Sequence, residues 1–307
     1  MTRDWVIGRG LLGSAVARRT ASEPIVQHVR WSERAHAEAD LREGLRRLYE
    51  DDAEAYTLYW CAGSGVTSTP AEVLREEAEV FGAFLAGFAE VPDGLRSRTT
   101  VFLASSVGGA YAGVDDPPYS ESSPVAPASP YGETKLSMED SLRTAVAEHG
   151  LHGFVGRITN LYGPGQKLGK RQGLISVLCE TYVRREPVTV YVSLDTLRDY
   201  IYEDDCAAVV VAGTDRARDI ERGATVTKII GAGTAVSIGE LIGTITRVRR
   251  HRPLVAFGGG DARGQASDLR VRSEVWTDLQ GLVQTSLPAG IAAVLRSLGS
   301  AAASGNA

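Results

Sequence analysis

Along the first half of this chain, short apolar runs alternate with stretches whose apolar positions recur at helical spacing. Trp5-Val6-Ile7 reads as a strand that runs into glycines and then a helix at 15–19. Ile25 to Val29 reads as a second strand, and a charged helix follows from about Glu33 to Glu50. Thr57 to Cys61 is an apolar strand. Thr69-Pro70 is a helix-start pair, a capping residue before a first-turn proline, and opens a long helix to about Glu90. Thr100 to Ala104 and Gly153 to Ile158 read as buried strands, with a helix from Gly132 to Glu148 between them. Strands alternating with helices predict an α/β fold, a doubly wound parallel sheet covered on both faces. After about residue 160 the pattern loosens into a helix at 173–184, strands at 188–191 and 225–230, and a last helix at 289–298.

Composition narrows the function classes. Of 307 residues, 43% are apolar and 23% charged, which suits a globular protein and excludes wholesale disorder. A net charge of −5 leaves no basic excess for nucleic acid. Apolar runs such as 206–213 fall far short of the ~20 residues of a membrane span. The start, Met1-Thr2-Arg3-Asp4, lacks a signal-peptide pattern, so a cytoplasmic location is expected. Cys61, Cys179 and Cys206 are scattered and odd in number, which argues against a disulfide framework or a cysteine metal site. The histidines have no metal-ligand spacing, and no metal is expected.

The first chemical signal is Gly8-Arg9-Gly10-Leu11-Leu12-Gly13, placed between the first strand and the first helix. In that context Gly8 permits a tight turn, Gly10 lets a pyrophosphate approach the backbone, and Gly13 lets helix and strand pack closely. The anion then faces free N–H groups at a helix start. Where the second strand ends, an acidic residue would take the ribose hydroxyl of NAD; here Arg30 follows Val29. An arginine suits a 2′-phosphate, so NADP(H) is the expected cofactor, with Arg9 a possible second cation and NAD(H) the alternative.

The second signal is Ser129-Pro130-Tyr131-Gly132-Glu133-Thr134-Lys135. Proline starts a helix, and Tyr131 and Lys135, four apart, then share a face. A phenol with a pKa near 10 exchanges protons poorly at neutral pH, and a neighbouring ammonium favours its phenolate. The pair is a candidate general acid/base for an alcohol or ketone. Ser105-Ser106 ends the intervening strand, where open α/β sheets bind ligands, and Ser106, further out, is the expected donor to a substrate oxygen.

With Arg157-Ile158-Thr159-Asn160-Leu161-Tyr162-Gly163-Pro164-Gly165 and Arg198-Asp199-Tyr200-Ile201-Tyr202-Glu203-Asp204-Asp205, these motifs follow in order. The sequence resembles an extended short-chain dehydrogenase/reductase of the NAD-dependent epimerase/dehydratase group, over about residues 4 to 215. The resemblance implies a Rossmann domain for the cofactor at 1–160 and a smaller α/β substrate domain mainly at 161–300, interlocked with the first. The end of the chain, Gly299 to Ala307, is small and polar and by composition reads as a frayed tail, with 301–307 outside the substrate domain. The resemblance implies Ala62, Gly63 and Ile158 beside the cofactor, Lys135 and Tyr131 at the nicotinamide ribose, and Asn160 in the substrate cleft. Arg198 would meet the diphosphate of a nucleotide sugar unless it pairs with Asp199 or Asp204, and Lys167, Lys170 and Arg171 would either add charge there or form a solvated basic loop. A homodimer is expected through the helices 69–90 and 132–148, although the stripe Val80, Phe81, Phe84 and Leu85 suits packing on the chain's own sheet equally well.

Departures from the family narrow the chemistry. Ser106-Val107-Gly108-Gly109 lacks the acidic run of the 4,6-dehydratases, and Gly108 and Gly165 stand where epimerase-reductases carry a cysteine and a histidine. The stretch from Glu50 to Thr57 is too short for a full third strand. The expected activity is therefore NADPH-dependent reduction of a nucleotide-linked 4-keto-6-deoxy sugar, with Ser106, Tyr131 and Lys135 catalytic. The alternatives are a nucleotide-sugar 4-epimerase with retained NAD, a catalytically silent NADP(H)-binding regulator, and a carbonyl substrate without a nucleotide.

Overall fold

In the computed structural model, which describes residues 1–166, 173–249, 254–258 and 266–303, the apolar runs become a parallel sheet buried on both faces. Its strands are β1 (Thr2–Ile7), β2 (Ala55–Trp60), β3 (Thr99–Ser106), β4 (His152–Ile158) and, from far down the chain, β8 (Thr225–Ile230), hydrogen-bonded in that order. Side chains alternate across a strand, so each one supplies two cores. Trp5, Ile7, Leu58, Trp60, Val101 and Leu103 face one cluster, while Val6, Tyr59, Phe102 and Phe154 face the other. The first core is closed by α2 (Arg34–Leu48), α3 (Ala71–Ala86) and α6 (Pro130–His149), and the second by α1 (Leu11–Ala17) and α8 (Glu203–Ala217). Two short helices, α4 (Asp93–Arg96) and α5 (Val107–Tyr111), flank β3.

Local chemistry sets the helix ends. Ser129 Oγ accepts the Gly132 N–H at 3.3 Å and Pro130 occupies the first turn of α6, while Gly150, at φ +64°, ends it in the left-handed region. Pro70 caps α3, whose last expected turn is instead a 3₁₀ turn over Gly87–Glu90. The stripe Val80, Phe81, Phe84 and Leu85 is buried in the first core, with the Phe84 ring 5.1 Å from that of Trp60. The stripe is used inside the protomer.

The expected second strand does not form. Ile25 meets β1 by a single bridge to Trp5, donating its N–H to the Asp4 carbonyl at 2.9 Å, and Val26 turns out to solvent. Pro24 has no N–H to extend the ladder backward, and the Val26 carbonyl is taken by Arg47 Nη1 at 2.7 Å. Without a third strand beyond it, the segment has nothing to pair with outward.

The rest of the chain builds smaller sheets. β5 (Asn160–Tyr162) pairs with β7 (Leu197–Tyr202), which also pairs with β9 (Ala235–Ser237) and β11 (Asp268–Leu269); β6 (Val188–Val190) pairs with β10 (Val255–Phe257). α7 (Leu174–Arg184), α9 (Ile238–Arg249) and α10 (Leu287–Ala303) bury Leu178, Leu241, Ile245, Ile291 and Leu295 with Tyr162 and Tyr200. The helix expected at 289–298 lies within α10, which runs through Gly299 to Ala303 where a frayed tail was expected; 304–307 lie outside the described residues. Among the described residues no helix is long and apolar enough to cross a membrane.

Candidate active site

A cleft of about 2180 Å³ runs along the carboxyl ends of the sheet strands and on past β6 and β7. A pocket for one small ligand is typically ~300–1,000 Å³, so this cleft has room for two. One wall is the glycine turn after β1. Gly8 has φ +87°, and a β-carbon there would lie 2.4 Å from the Ala62 backbone; at Gly13 it would lie 1.9 Å from the Gly8 carbonyl oxygen. These two glycines let β1, β2 and α1 converge. At Gly10 a β-carbon would meet nothing within 4 Å, and no side chain caps the helix that Gly10 opens, so bare backbone faces the cleft. Gly8, Arg9, Gly10, Leu11 and Leu12 line the cleft with Ala62, Gly63 and Ile158, whereas Gly13 is spent on packing.

The residues expected to react come together at the end of β3. A β-carbon built on Gly109 would lie 3.3 Å from Ser106 Cβ and 3.6 Å from Tyr131 Cε1, so hydroxyl and ring flank one glycine. Gly132 allows this approach, since a side chain there would strike the Gly109 carbonyl oxygen at 2.4 Å. Ser106 Oγ caps α5 by accepting the Gly109 N–H at 3.1 Å, which leaves its own O–H to donate. Ser105 behaves differently. Its Oγ donates to Glu139 Oε1 at 2.5 Å, and Glu139 also holds Arg157 through two bonds of 3.0 and 2.7 Å and Arg143 at 2.9 Å. Burial pushes the Glu139 carboxyl up, but Arg157, Ser105 and Arg143 outweigh it and hold the group below its ordinary value.

Lys135 lies behind the Tyr131 ring, its Nζ 5.8 Å from the ring centre. The same Nζ donates to Glu77 Oε1 at 3.1 Å, and the two side chains are 8% and 17% exposed. Burial works against the ammonium, yet Tyr131 and Glu77 together carry its pKa above the ordinary lysine value. Glu77 was not among the sequence candidates. Its only trace in the sequence is an acid on the apolar stripe of α3, three residues after the buried Leu74 and four before the buried Phe81.

The adenosine end departs from expectation. Arg30 is absent from the cleft lining; Asp40 takes its Nε at 2.9 Å, its Nη2 at 2.7 Å and its backbone N–H at 2.9 Å. Those bonds hold the Asp40 carboxyl at about 2. Val29, Trp31 and Arg34 line the wall instead, with the Trp31 ring edge-on to buried Trp60 at 6.1 Å. The argument for NADP(H) from Arg30 therefore loses its geometric basis.

At the other end Asn160 lines the cleft and donates from Nδ2 to the Asp199 carbonyl at 2.8 Å. Arg198 also lines it, and among the described residues it is hydrogen-bonded to the carbonyls of Leu197 and Ala266 at 2.8 and 2.6 Å. Asp199 is held by Thr159 and the Ala232 N–H, and Asp204 pairs with Arg18, so neither partners Arg198. Burial lowers the Arg198 pKa, with Tyr200 and the Asp268 carboxylate on the neighbouring strand acting weakly the other way. Lys167, Lys170 and Arg171 lie outside the described residues.

Known proteins resemble this chain in both sequence and fold. The model of the NAD dependent epimerase/dehydratase family matches residues 6–227. The dTDP-4-dehydro-6-deoxyglucose reductase of Escherichia coli is 29% identical over 159 residues, covering 51% of this chain and 48% of that protein. The UDP-glucose 4-epimerase of Azospirillum brasilense is 28% identical over 215 residues, covering 63% of this chain and 61% of that protein. The chain thus spans about half to three-fifths of the length of these curated relatives. Among solved structures, MoeE5 in complex with UDP-glucose and NAD shares the fold at a TM-score of 0.80 and 22% identity, over 98% of this chain and 99% of that one.

Proposed function

The chain belongs to the NAD dependent epimerase/dehydratase family, and from that premise we propose that it reduces the 4-keto group of a nucleotide-linked 4-keto-6-deoxy sugar. The observation that carries this reading is the meeting of Tyr131 and Ser106 across Gly109, with Lys135 buried behind the ring. A bound nicotinamide supplies the hydride to the ketone carbon. Tyr131 donates its hydroxyl proton to the ketone oxygen as that oxygen gains charge. Ser106 donates a hydrogen bond to the same oxygen while the Gly109 N–H fixes its own position. The Lys135 ammonium stabilises the phenolate left behind.

The open backbone at Gly10 and the close approach at Gly8 and Gly13 fit a dinucleotide pyrophosphate. In the same reading Ala62, Gly63 and Ile158 contact the cofactor, Asn160 lines the sugar site and Arg198, with no carboxylate hydrogen-bonded to it among the described residues, takes the sugar diphosphate. Residues 1–160 then serve mainly the cofactor and 161–300 the sugar. A homodimer would use the outward faces of α3 and α6, which pack side by side.

A second reading, a nucleotide-sugar 4-epimerase that keeps its NAD, is favoured by one observation: Asp40 occupies the arginine that would mark a phosphorylated, exchanging cofactor. The deciding assay gives the purified protein a nucleotide 4-keto-6-deoxyhexose with NADH or NADPH and follows nicotinamide absorbance. Stoichiometric oxidation is expected. Interconversion of nucleotide hexoses with tightly held NAD and no net oxidation replaces the reductase by the epimerase, and no turnover with either substrate class rejects both.

A further inference from the structure

Glu77 is the strongest group in the cleft that the reaction above leaves unused. Both of its oxygens are fixed by the protein. Oε1 accepts from Lys135 Nζ at 3.1 Å and Oε2 from the Ser64 N–H at 3.1 Å, which pins the carboxylate between α3 and the loop after β2. Packing does not account for the arrangement. A buried ion pair is often no more stabilising than a well-packed apolar pair of the same volume, and removing one partner strands a charge. The pair also opens on the cleft, since both residues line it.

The loop over the pair is bare. Gly63 has φ +150°, and a β-carbon there would lie 2.9 Å from Glu77 Oε1 and 3.2 Å from Lys135 Nζ. One at Gly65 would strike the Leu74 side chain at 2.4 Å and lie 3.6 Å from Tyr131 Cδ2 and 3.7 Å from Glu77 Oε2. Side chains at either position would crowd the space beside the pair and the reacting ring. Each carboxylate oxygen can accept two hydrogen bonds, so both keep capacity after their protein bonds. The ammonium, with three N–H groups, likewise keeps a donor after its bonds to Glu77 and, at 3.9 Å, to Met138 Sδ. A fixed acceptor 3.1 Å from a fixed donor matches a vicinal diol, whose hydroxyls each donate and accept.

We propose that Glu77 is a cofactor-binding residue: with Lys135 it presents an acceptor beside a donor to the diol of the nicotinamide-side ribose. This rests on the assignment of Lys135 to that ribose. It adds a consequence of its own, that the carboxylate sets where the nicotinamide sits against Tyr131.

The test compares two probes on the full chain by titration: NADH, which carries the second ribose, and ADP, which ends before it. Glu77→Ala is expected to weaken NADH by about 10-fold or more, the scale of one charge-assisted hydrogen bond, and to leave ADP within about twofold. Glu77→Gln keeps the shape and one acceptor oxygen, so its loss for NADH falls between those of the wild type and Glu77→Ala, again with ADP unchanged. Unchanged NADH affinity in both variants, or equal losses for NADH and ADP, overturns the proposal; the latter marks a structural role. If the wild type binds NADH and both variants bind it equally tightly, only Glu77 is misassigned. Failure of the wild type to bind either probe overturns the cofactor reading as a whole.

Discussion

Each end of the cofactor wall carries a cation held by a carboxylate, and the two pairs differ in burial. Lys135 and Glu77, at the reacting end, are 8% and 17% exposed and lie under a glycine loop. Arg30 and Asp40, beside α2, are 51% and 13% exposed, and Arg30 is not among the residues lining the cleft. In water an ion pair contributes little and rearranges freely, whereas a desolvated pair fixes geometry. The difference teaches that a cation's place in the sequence does not reveal what it holds. Both positively charged residues stand where a cofactor contact was expected, and of the two Lys135 lines the cleft while Arg30 does not.

The largest effect should come from the reacting end. Tyr131→Phe keeps the ring and its packing but removes the proton donor, so turnover should fall ~10²-fold or more with cofactor affinity nearly intact. Near-normal turnover in steady-state assays would misplace the active site. Next, Ser106→Ala should lower kcat by about 10²-fold through loss of one donor to the reacting oxygen. Ser105→Ala should lower the melting temperature and spare kcat, because Ser105 is bonded to Glu139. Equal kinetic losses in the two variants would erase that distinction.

At the adenosine end, Arg30→Ala should change NADH and NADPH affinity by less than about fivefold each, the range of an exposed pair. A selective loss of NADPH beyond that would return Arg30 to the cofactor. The smallest effect concerns burial without a close partner. Glu203, 5% exposed and 3.6 Å from Arg18, has its carboxyl raised to about 7, chiefly by burial. An acid with a raised folded-state pKa contributes stability below its unfolded value near 4.5, and that contribution is lost as pH rises towards about 7. Glu203→Gln should therefore gain a few degrees over the wild type at pH 8 and little at pH 5 in thermal melts. An equal difference at both values would show that its titration does not matter to stability.

What the sequence disclosed follows the same division. The glycine turn, the tyrosine–lysine spacing and the serine at the end of β3 are local patterns, and each lies in the cleft where its spacing put it. Features that depend on pairing were hidden. Ile25 to Val29 has strand composition but only one bridge, since a strand needs neighbours as well as residues. Arg30 looked available because Asp40, ten positions on, shows no sign of its orientation until α2 folds back. Glu77 is one of several acids along α3 with little in the sequence to single it out, and only the tertiary fold brings Lys135 to it. The sheet around β7 was unreadable for a simpler reason: β5, β9 and β11 have three, three and two residues, too few for a periodicity.

The single bridge at Ile25 bears on motion. β3 is laddered on both sides, by β2 and β4, while β1 is fully laddered only by β2 and on its other flank meets the single bridge at Ile25 and the Ser22 hydroxyl, 3.1 Å from the Thr2 carbonyl. In hydrogen-exchange terms, the outward amides of β1 should open by local fraying at the sheet margin, and those of β3 only through global unfolding. The glycine turn hangs from that margin. The segment that would grip a pyrophosphate is then among the first parts of the sheet to breathe, and added dinucleotide should slow exchange in β1 more than in β3; equal protection of the two strands would contradict this.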